Sequence, residues 1–255
     1  MLAEERQNTI VSIVNENGSV LVKDLSKQFG VTEDSIRKDL TLLQKKGMLK
    51  KTYGGAMKVR RNEHEHTVKE RIDHHIEDKK EIAQKALDLI ADKEVIFLDI
   101  STSNVELAKK IAQSGKKVTI VTNAIDVLNA LASDSGNVKT IFLGGTFSEG
   151  KDGFIGAMTI EEAKRFRFDK AFMGVVGVDL ESGNISTYAI DDALTKSQIM
   201  NLANKTYMML ESRKFESGGN TVYAQIDDFT GAILDKEAPE NLTKMMKNYP
   251  VEWIV

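Results

Sequence analysis

From Glu81 to the end of this 255-residue chain, short apolar runs alternate with longer amphipathic stretches, and this alternation restricts the possible folds more than any other feature. Ile82, Ala86, Leu89 and Ile90 recur at helical spacing, and Val95-Ile-Phe-Leu98 is then an unbroken apolar run ending at Asp99. The same reading predicts a helix over 104–112, a strand over 118–121, a helix over 125–132 and a strand over 138–143. Further strands are expected at 170–173, 206–210, 231–234 and 251–254. Fully apolar strands separated by helices belong to a mostly parallel sheet covered on both faces, an α/β architecture. Ligands of such sheets sit beyond the carboxyl ends of the strands, so the residues that follow each run are the first candidates for a site.

Those residues form a consistent set. Asp99 is followed by Ser101, Thr102 and Ser103, which lead into the helix at Asn104 and so place hydroxyls and backbone N–H groups at a helix N-terminus. Asn123 closes the next strand, and Gly144 and Gly145 close the one after, where backbone can approach a ligand. Lys196 and Lys214 are candidate cations for the same anion. Singly, the glycines read as a turn, the hydroxyls as a helix cap and Lys214 as a surface lysine. Their shared location at successive strand ends favours a pocket for a phosphorylated polar ligand.

The amino-terminal part has a different character. Thr32 is a suitable N-cap followed by Glu33 and Asp34, and Ile36, Leu40 and Leu43 form one apolar stripe. Ser35, Arg37, Lys38 and Thr41 face away from it, a small, polar and cationic surface suited to a major groove. Leu21, Val22, Leu25 and Phe29 predict a supporting helix closed by Gly30, and Ile10, Ile13 and Val14 a third short stripe. Leu49 and Tyr53 then alternate with Lys50, Lys51 and Thr52, and Gly54-Gly55 permits a reversal into residues 56–59. The whole reads as a winged helix-turn-helix whose DNA contacts come from Thr32, Ser35, Arg37, Lys38, Thr41, Lys50, Lys51, Thr52, Tyr53 and Gly54.

Charge follows the same division. Residues 1–61 carry 12 Lys or Arg against 7 Asp or Glu, whereas residues 62–255 carry 23 against 31. The net charge of −3 therefore hides a basic head on an acidic body. With no cysteine, thiol and disulfide chemistry are excluded. The first residues lack the apolar core of a signal peptide, and no apolar run reaches membrane-spanning length, so a cytoplasmic location without membrane contact is expected.

All four histidines, His64, His66, His74 and His75, fall in the polar junction 58–80. With Glu63, Glu65, Asp73 or Glu77 they could share a metal ion, but spacing alone supplies no convergence, and an exposed linker is the plainer reading. The expected layout is a DNA-binding head over 1–60, a linker over 61–78 and an α/β sensor over 79–255, with no cofactor and no metal.

The chain resembles the DeoR-type transcriptional regulators along essentially its whole length. In the head the resemblance rests on Arg6-x-x-x-Ile10, Leu25, Phe29-Gly-Val-Thr32, Ser35-Ile-Arg-Lys-Asp-Leu40, Gly47 and Tyr53-Gly-Gly-Ala56. In the body it rests on Phe97-Leu-Asp-Ile-Ser-Thr102, Val121-Thr-Asn123, Phe142-Leu-Gly-Gly145, Gly153-Phe-Ile-Gly156, the run from Asp169 to Asp179, and Ser212-Arg-Lys-Phe215.

The resemblance implies a sensor domain similar to ribose-5-phosphate isomerase, repression of a sugar-catabolism operon, and relief by a sugar phosphate. Operator half-sites in double-stranded DNA imply a homodimer or homotetramer. Departures from the family pattern fall at Ser35 in place of Thr, Lys38 in place of Arg, Asp99-Ile-Ser-Thr102 in place of the usual Asp-x-Gly-Ser/Thr, and Glu211-Ser-Arg-Lys214 in place of Asp-Ser-Ser-Lys. Two other classes stay open on the residues alone. One is a sugar-phosphate isomerase or deaminase with an appended head, although no acid/base constellation stands out. The other is a nucleotide-sensing repressor, although no Gly-x-Gly-x-x-Gly follows the first strand.

Overall fold

The computed structural model describes residues 3–57, 74–132, 136–150 and 152–255. Contacts divide the chain into two compact units, Met1–Arg61 and Asn62–Val255. Among the described residues, no helix is long and apolar enough to cross a membrane.

The first unit runs α1 (Ala3–Asn17), β1 (Ser19–Leu21), α2 (Val22–Phe29), α3 (Glu33–Lys45), β2 (Lys50–Thr52) and β3 (Gly55–Met57). Ile10, Val14, Val22, Leu25, Ile36, Leu40, Leu43, Leu49 and Ala56 form its core. Gly30 closes α2 at φ 64°, the left-handed conformation that glycine adopts without steric cost. Thr32 caps α3, its hydroxyl accepting from the Ser35 N–H at 3.3 Å.

Two local expectations are corrected here. Leu21 does not lie on the buried stripe of α2: it ends β1 and is 57% exposed, because the chain pairs with β3 before turning helical. The hairpin reverses at Tyr53-Gly54, with Thr52 opposite Gly55, so Gly55 is a strand residue in the middle of the order β1-β3-β2. A Cβ on Gly55 would lie 2.0 Å from the Val20 carbonyl oxygen, so the close approach of β1 and β3 requires glycine there.

The second unit opens with α4 (Ile76–Asp88), which takes in the last three residues of the expected linker. Then follow β4 (Val95–Leu98), α5 (Thr102–Ser114), β5 (Val118–Thr122), α6 (Ile125–Leu131), β6 (Val138–Phe142), the hairpin β7 (Thr146–Phe147) and β8 (Phe154–Ile155), and α7 (Ala157–Ala163). The remainder is β9 (Phe168–Gly174), β10 (Gly177–Val178), β11 (Asn184–Thr187), α8 (Ile190–Asn201), β12 (Ala203–Leu210), β13 (Thr221–Gln225), β14 (Gly231–Leu234), α9 (Glu240–Met246) and β15 (Glu252–Ile254).

Seven of these strands form one wholly parallel sheet in the order β15-β14-β12-β9-β4-β5-β6. Its two faces are both covered. Ile96, Leu98, Ile120, Phe172, Tyr207 and Met209 pack with Ile82, Leu107, Ile111 and Val127 of the helices on one side. Phe97, Val121, Ala171, Met173, Met208 and Leu210 pack with Ala163, Ile199 and Met246 on the other, the strict two-residue alternation of a doubly covered sheet. From β4 the strands advance in one direction to β6, and from β9 in the other to β15. The reversal between β4 and β9 opens a crevice beyond their carboxyl ends.

A small antiparallel sheet, β10-β11-β13, stands beside the main one, and the expectations from sequence contain no counterpart for it. Its strands are two to five residues long, and β11 reads Asn-Ile-Ser-Thr, too short and too polar for a periodic pattern.

Candidate functional site

In the first unit, α3 presents Arg37 and Lys38 outward, and both cations are paired within the helix. The Arg37 guanidinium donates to Glu33 at 2.8 Å, and the Lys38 ammonium lies 3.0 Å from Asp34, each at i,i+4 spacing on an exposed face. The Lys51 Nζ donates to the Thr41 hydroxyl at 2.8 Å, and the Lys51 N–H donates to Gln44 Oε1 at 2.8 Å. Strand β2 is thereby fastened to α3. Ser35, Thr41, Lys50, Thr52, Tyr53 and Gly54 lie with them on a solvent-accessible polar surface.

On the reverse face, Asp39 is buried, and it accepts from Arg6 Nε at 2.7 Å and Gln7 Nε2 at 2.9 Å. This clamp of α3 to α1 carried a readable signal, an acid on the apolar side of an amphipathic helix.

In the second unit, the crevice between β4 and β9 gathers several of the expected residues. Asp99, at the end of β4, is buried and accepts from the Gly174 N–H across the crevice at 2.9 Å. Lys196 reaches in from α8 to donate to the same carboxylate and, at 3.1 Å, to the Gly174 carbonyl. Asp192, one turn earlier on α8, lies 3.8 Å from the Lys196 ammonium. Burial alone would lower the Lys196 pKa, but the Asp192 and Asp99 carboxylates outweigh it and hold the ammonium well above its ordinary value. Burial, reinforced by Asp192, raises the Asp99 carboxyl against the pull of Lys196 and the Gly174 N–H.

Ser101 caps α5, its hydroxyl accepting from the Asn104 N–H at 3.0 Å. The N–H groups of Thr102 and Ser103 in that first turn have no acceptor within the helix. Asn104 ties the two strands together, donating to the Asp99 and Phe172 carbonyls at 2.9 and 2.8 Å. A cleft lined by Ile100, Ser101, Thr102, Val105, Ala124, Asp126 and Asp152 opens at this turn. Asn123 is buried beside it and donates to the Phe154 carbonyl at 2.8 Å.

Lys214 meets the same loop from the other side, donating to the Val175 carbonyl at 2.7 Å. Its charge is answered by buried Glu211 at 3.4 Å, which also accepts from Arg213 at 3.0 Å. Burial pushes the Glu211 carboxyl up, but Lys214, Arg213 and buried Lys79 more than reverse this, and its pKa falls below the ordinary 4.5. A lowered folded-state pKa adds stability above the unfolded value and forfeits it as the pH falls through the folded one. Glu211→Gln is therefore expected to be less stable than the parent at neutral pH, with the gap closing below pH 4.5, as followed by fluorescence of the single tryptophan, Trp253.

Gly144 and Gly145 pack against α7. The Gly144 N–H donates to Glu162 at 2.8 Å, its carbonyl accepts from Thr159, and a Cβ on Gly145 would lie 2.1 Å from the Thr159 hydroxyl. These glycines admit α7 to close packing, and the Gly144 N–H and carbonyl both bond to that helix.

Sequence reasoning missed Asp192, Glu211 and Tyr223. Asp192 carried one signal, an acid four residues before Lys196 on a helix; Tyr223 carried none. The Tyr223 hydroxyl is buried and, with Asn104 Oδ1 and Asn123 Oδ1, has no hydrogen-bond partner among the described residues.

The histidine junction falls largely outside the described residues, His64 and His66 included. His75 faces Asp78 at 3.6 Å. Among the described residues no group of three or more His, Asp or Glu side chains could hold a metal ion.

Comparison with known proteins adds to this geometry. Residues 6–62 match the family described as the DeoR-like helix-turn-helix domain, and residues 74–236 match the DeoR C terminal sensor domain. The chain is 30% identical to the L-fucose operon activator of Haemophilus influenzae, over 96% of this chain and 97% of that protein. It is 28% identical to a lactose phosphotransferase system repressor of Staphylococcus epidermidis, over 94% and 95%. Among solved structures, ribose 5-phosphate isomerase A of Methanocaldococcus jannaschii is similar at 16% identity and a TM-score of 0.36, over 51% of this chain and 50% of that one. With both of its parts matched in order, the chain belongs to the DeoR family of transcriptional regulators.

Proposed function

We propose that this regulator grips operator DNA through the outward face of α3 and the β2–β3 wing, represses a sugar-utilisation operon, and releases it when a phosphorylated sugar binds at the crevice between β4 and β9. The observation that carries the reading is that crevice: Asp99, Lys196 and the Ser101-capped turn of α5 converge at the one point where the sheet reverses direction. The α5 N-terminus offers N–H groups to a phosphate, while Asp126 and Asp152 offer acceptors to sugar hydroxyls in the same cleft. The relatives described above are named for sugar operons, one as an activator and one as a repressor.

The layout in this reading is a head over 1–60, a linker over 61–78 and a sensor over 79–255, acting in the cytoplasm as a homodimer or homotetramer that places two heads on successive half-sites. A coupling of about 2–3 kcal/mol between effector and operator changes occupancy by roughly 30- to 150-fold.

Fluorescence anisotropy on an operator obtained by in vitro selection tests both halves. Arg37→Ala is expected to weaken binding by about 1–3 kcal/mol, with relaxed sequence preference if Arg37 reads a base and a uniform loss if it touches phosphate. Binding unchanged by both Arg37→Ala and Lys38→Ala would remove the recognition-helix assignment. Operator affinity insensitive to every pentose and hexose phosphate tried would remove the effector assignment, and turnover of ribose 5-phosphate or glucosamine 6-phosphate would move the sensor to the enzymes.

A further inference from the structure

Strand β13 carries an irregularity at one residue. In its pairing with β11, Ile185 opposes Ala224 and Ser186 opposes Val222, so two consecutive residues of β11 span three of β13 and Tyr223 is the extra one. A bulge of this kind re-aims the side chain of its extra residue. Val222 beside it is 51% exposed, whereas the Tyr223 hydroxyl is buried. The strand packs against α8, the helix that supplies Lys196 and Asp192, and Thr187 of β11 donates to Asp192 at 2.5 Å on the same side. The charges of Lys196, Asp99 and Asp192 all act on the phenol, and burial with the two carboxylates raises its pKa, so it stays protonated and able to donate.

A buried hydroxyl normally finds a partner, as Tyr249 does in donating to the Leu180 carbonyl at 2.9 Å. Tyr223 has none among the described residues. We infer that the Tyr223 hydroxyl is a specificity-determining contact, carried on the strand that packs against the helix of Lys196 and Asp192, to receive a neutral hydroxyl of the sugar. This rests on the crevice being the sugar-phosphate site. A neutral group fits because the Lys196 ammonium is already answered by Asp99 and Asp192 there, which leaves no unpaired cation for a phosphate and suits a polyol that donates to carboxylate and accepts from phenol. The phosphate then lies apart, toward the first turn of α5.

The test uses the full chain and Tyr223→Phe, with ribose, glucose, fructose, galactose and glucosamine phosphates, 2-deoxyribose 5-phosphate and inorganic phosphate as probes in calorimetric titration and thermal unfolding. Without ligand, the variant is expected to melt at the same temperature as the parent or higher, because an unsatisfied hydroxyl has been removed. Its affinity for the sugar phosphate that the parent binds is expected to fall about ten- to hundredfold, with affinity for inorganic phosphate unchanged. Undiminished sugar-phosphate affinity, a lower melting temperature without ligand, or an equal loss toward inorganic phosphate would each overturn the inference. Failure of the parent to bind any of these sugar phosphates would instead overturn the reading of the crevice, and the inference with it.

Discussion

Lys196→Ala is expected to lower the stability of the sensor by about 3–5 kcal/mol, because it leaves the Asp99 carboxylate buried with no cation. The side chains of Lys196 and Asp99 are only 4% and 2% exposed, so little water reaches the orphaned charge. The remaining partner, the Gly174 N–H at 2.9 Å, is a neutral donor and offsets a fraction of the loss. Asp192 makes matters worse, since its carboxylate, 3.8 Å from the lost ammonium, then acts on Asp99 with no cation between them.

Removing both charges is a different experiment. Lys196→Met combined with Asp99→Leu eliminates the desolvation cost along with the attraction and is expected to recover most of the stability while abolishing effector response. Urea unfolding followed at Trp253 measures the sensor selectively, since the chain holds one tryptophan and it lies in β15. A loss below about 1 kcal/mol for Lys196→Ala would mean that the pair is solvated and is not the buried charge pair described here.

The second large effect belongs to the head. Gly55→Ala places a methyl group 2.0 Å from the Val20 carbonyl oxygen, a backbone atom that cannot rotate aside. Strand β1 must separate from β3, breaking the ladder that joins Ser19, Val20 and Leu21 to the wing. The cost is expected to be about 3 kcal/mol, the upper part of the overpacking range, in a unit whose core holds nine buried side chains among the described residues. Operator binding should collapse while the Trp253 transition stays unmoved. Gly54→Ala is the control: it meets nothing within 4 Å and costs only the positive φ of 88°, on the order of 1 kcal/mol. Equal behaviour of the two variants would sink the steric account.

The apolar periodicity carried the architecture because each buried strand of the main sheet is its own signal. Val95–Leu98 is read to the residue, while β9 and β12 begin earlier than their apolar centres, where Asp169 in β9 and Asn204 and Lys205 in β12 interrupt the apolar run. The three residues of β1 run directly into α2 with no turn residue between them, so Leu21 reads as helical and β1 passes unnoticed.

The site divides in the same way. Asp99 and Lys196 are each legible from chemistry and position, but their pairing spans 97 residues and depends on β4 and β9 becoming neighbours, a fact of strand order. Gly144 and Gly145 read as ligand-facing because a glycine pair after a strand looks the same whether a phosphate or a helix approaches it. Here Thr159 is what approaches. Tyr223 is positioned by a bulge, which has no sequence signature when the extra residue is not glycine.

The pairing of Arg37 with Glu33 and of Lys38 with Asp34 bears on how the protein searches DNA. A cation that carries a tethered carboxylate arrives at the duplex already partly neutralised, so ordinary sequence attracts it less than a count of Lys and Arg suggests. Exchanging that carboxylate for a phosphate or a guanine edge frees a group that stays on the protein, and the displaced charge must be rehoused nearby. Only a site that also accommodates Glu33 and Asp34, for instance by offering a cytosine amino group, recovers the full attraction. In the proposed binding mode, a Glu33→Gln, Asp34→Asn variant is expected to show a steeper salt dependence of DNA binding than the parent, measured by anisotropy across a salt series.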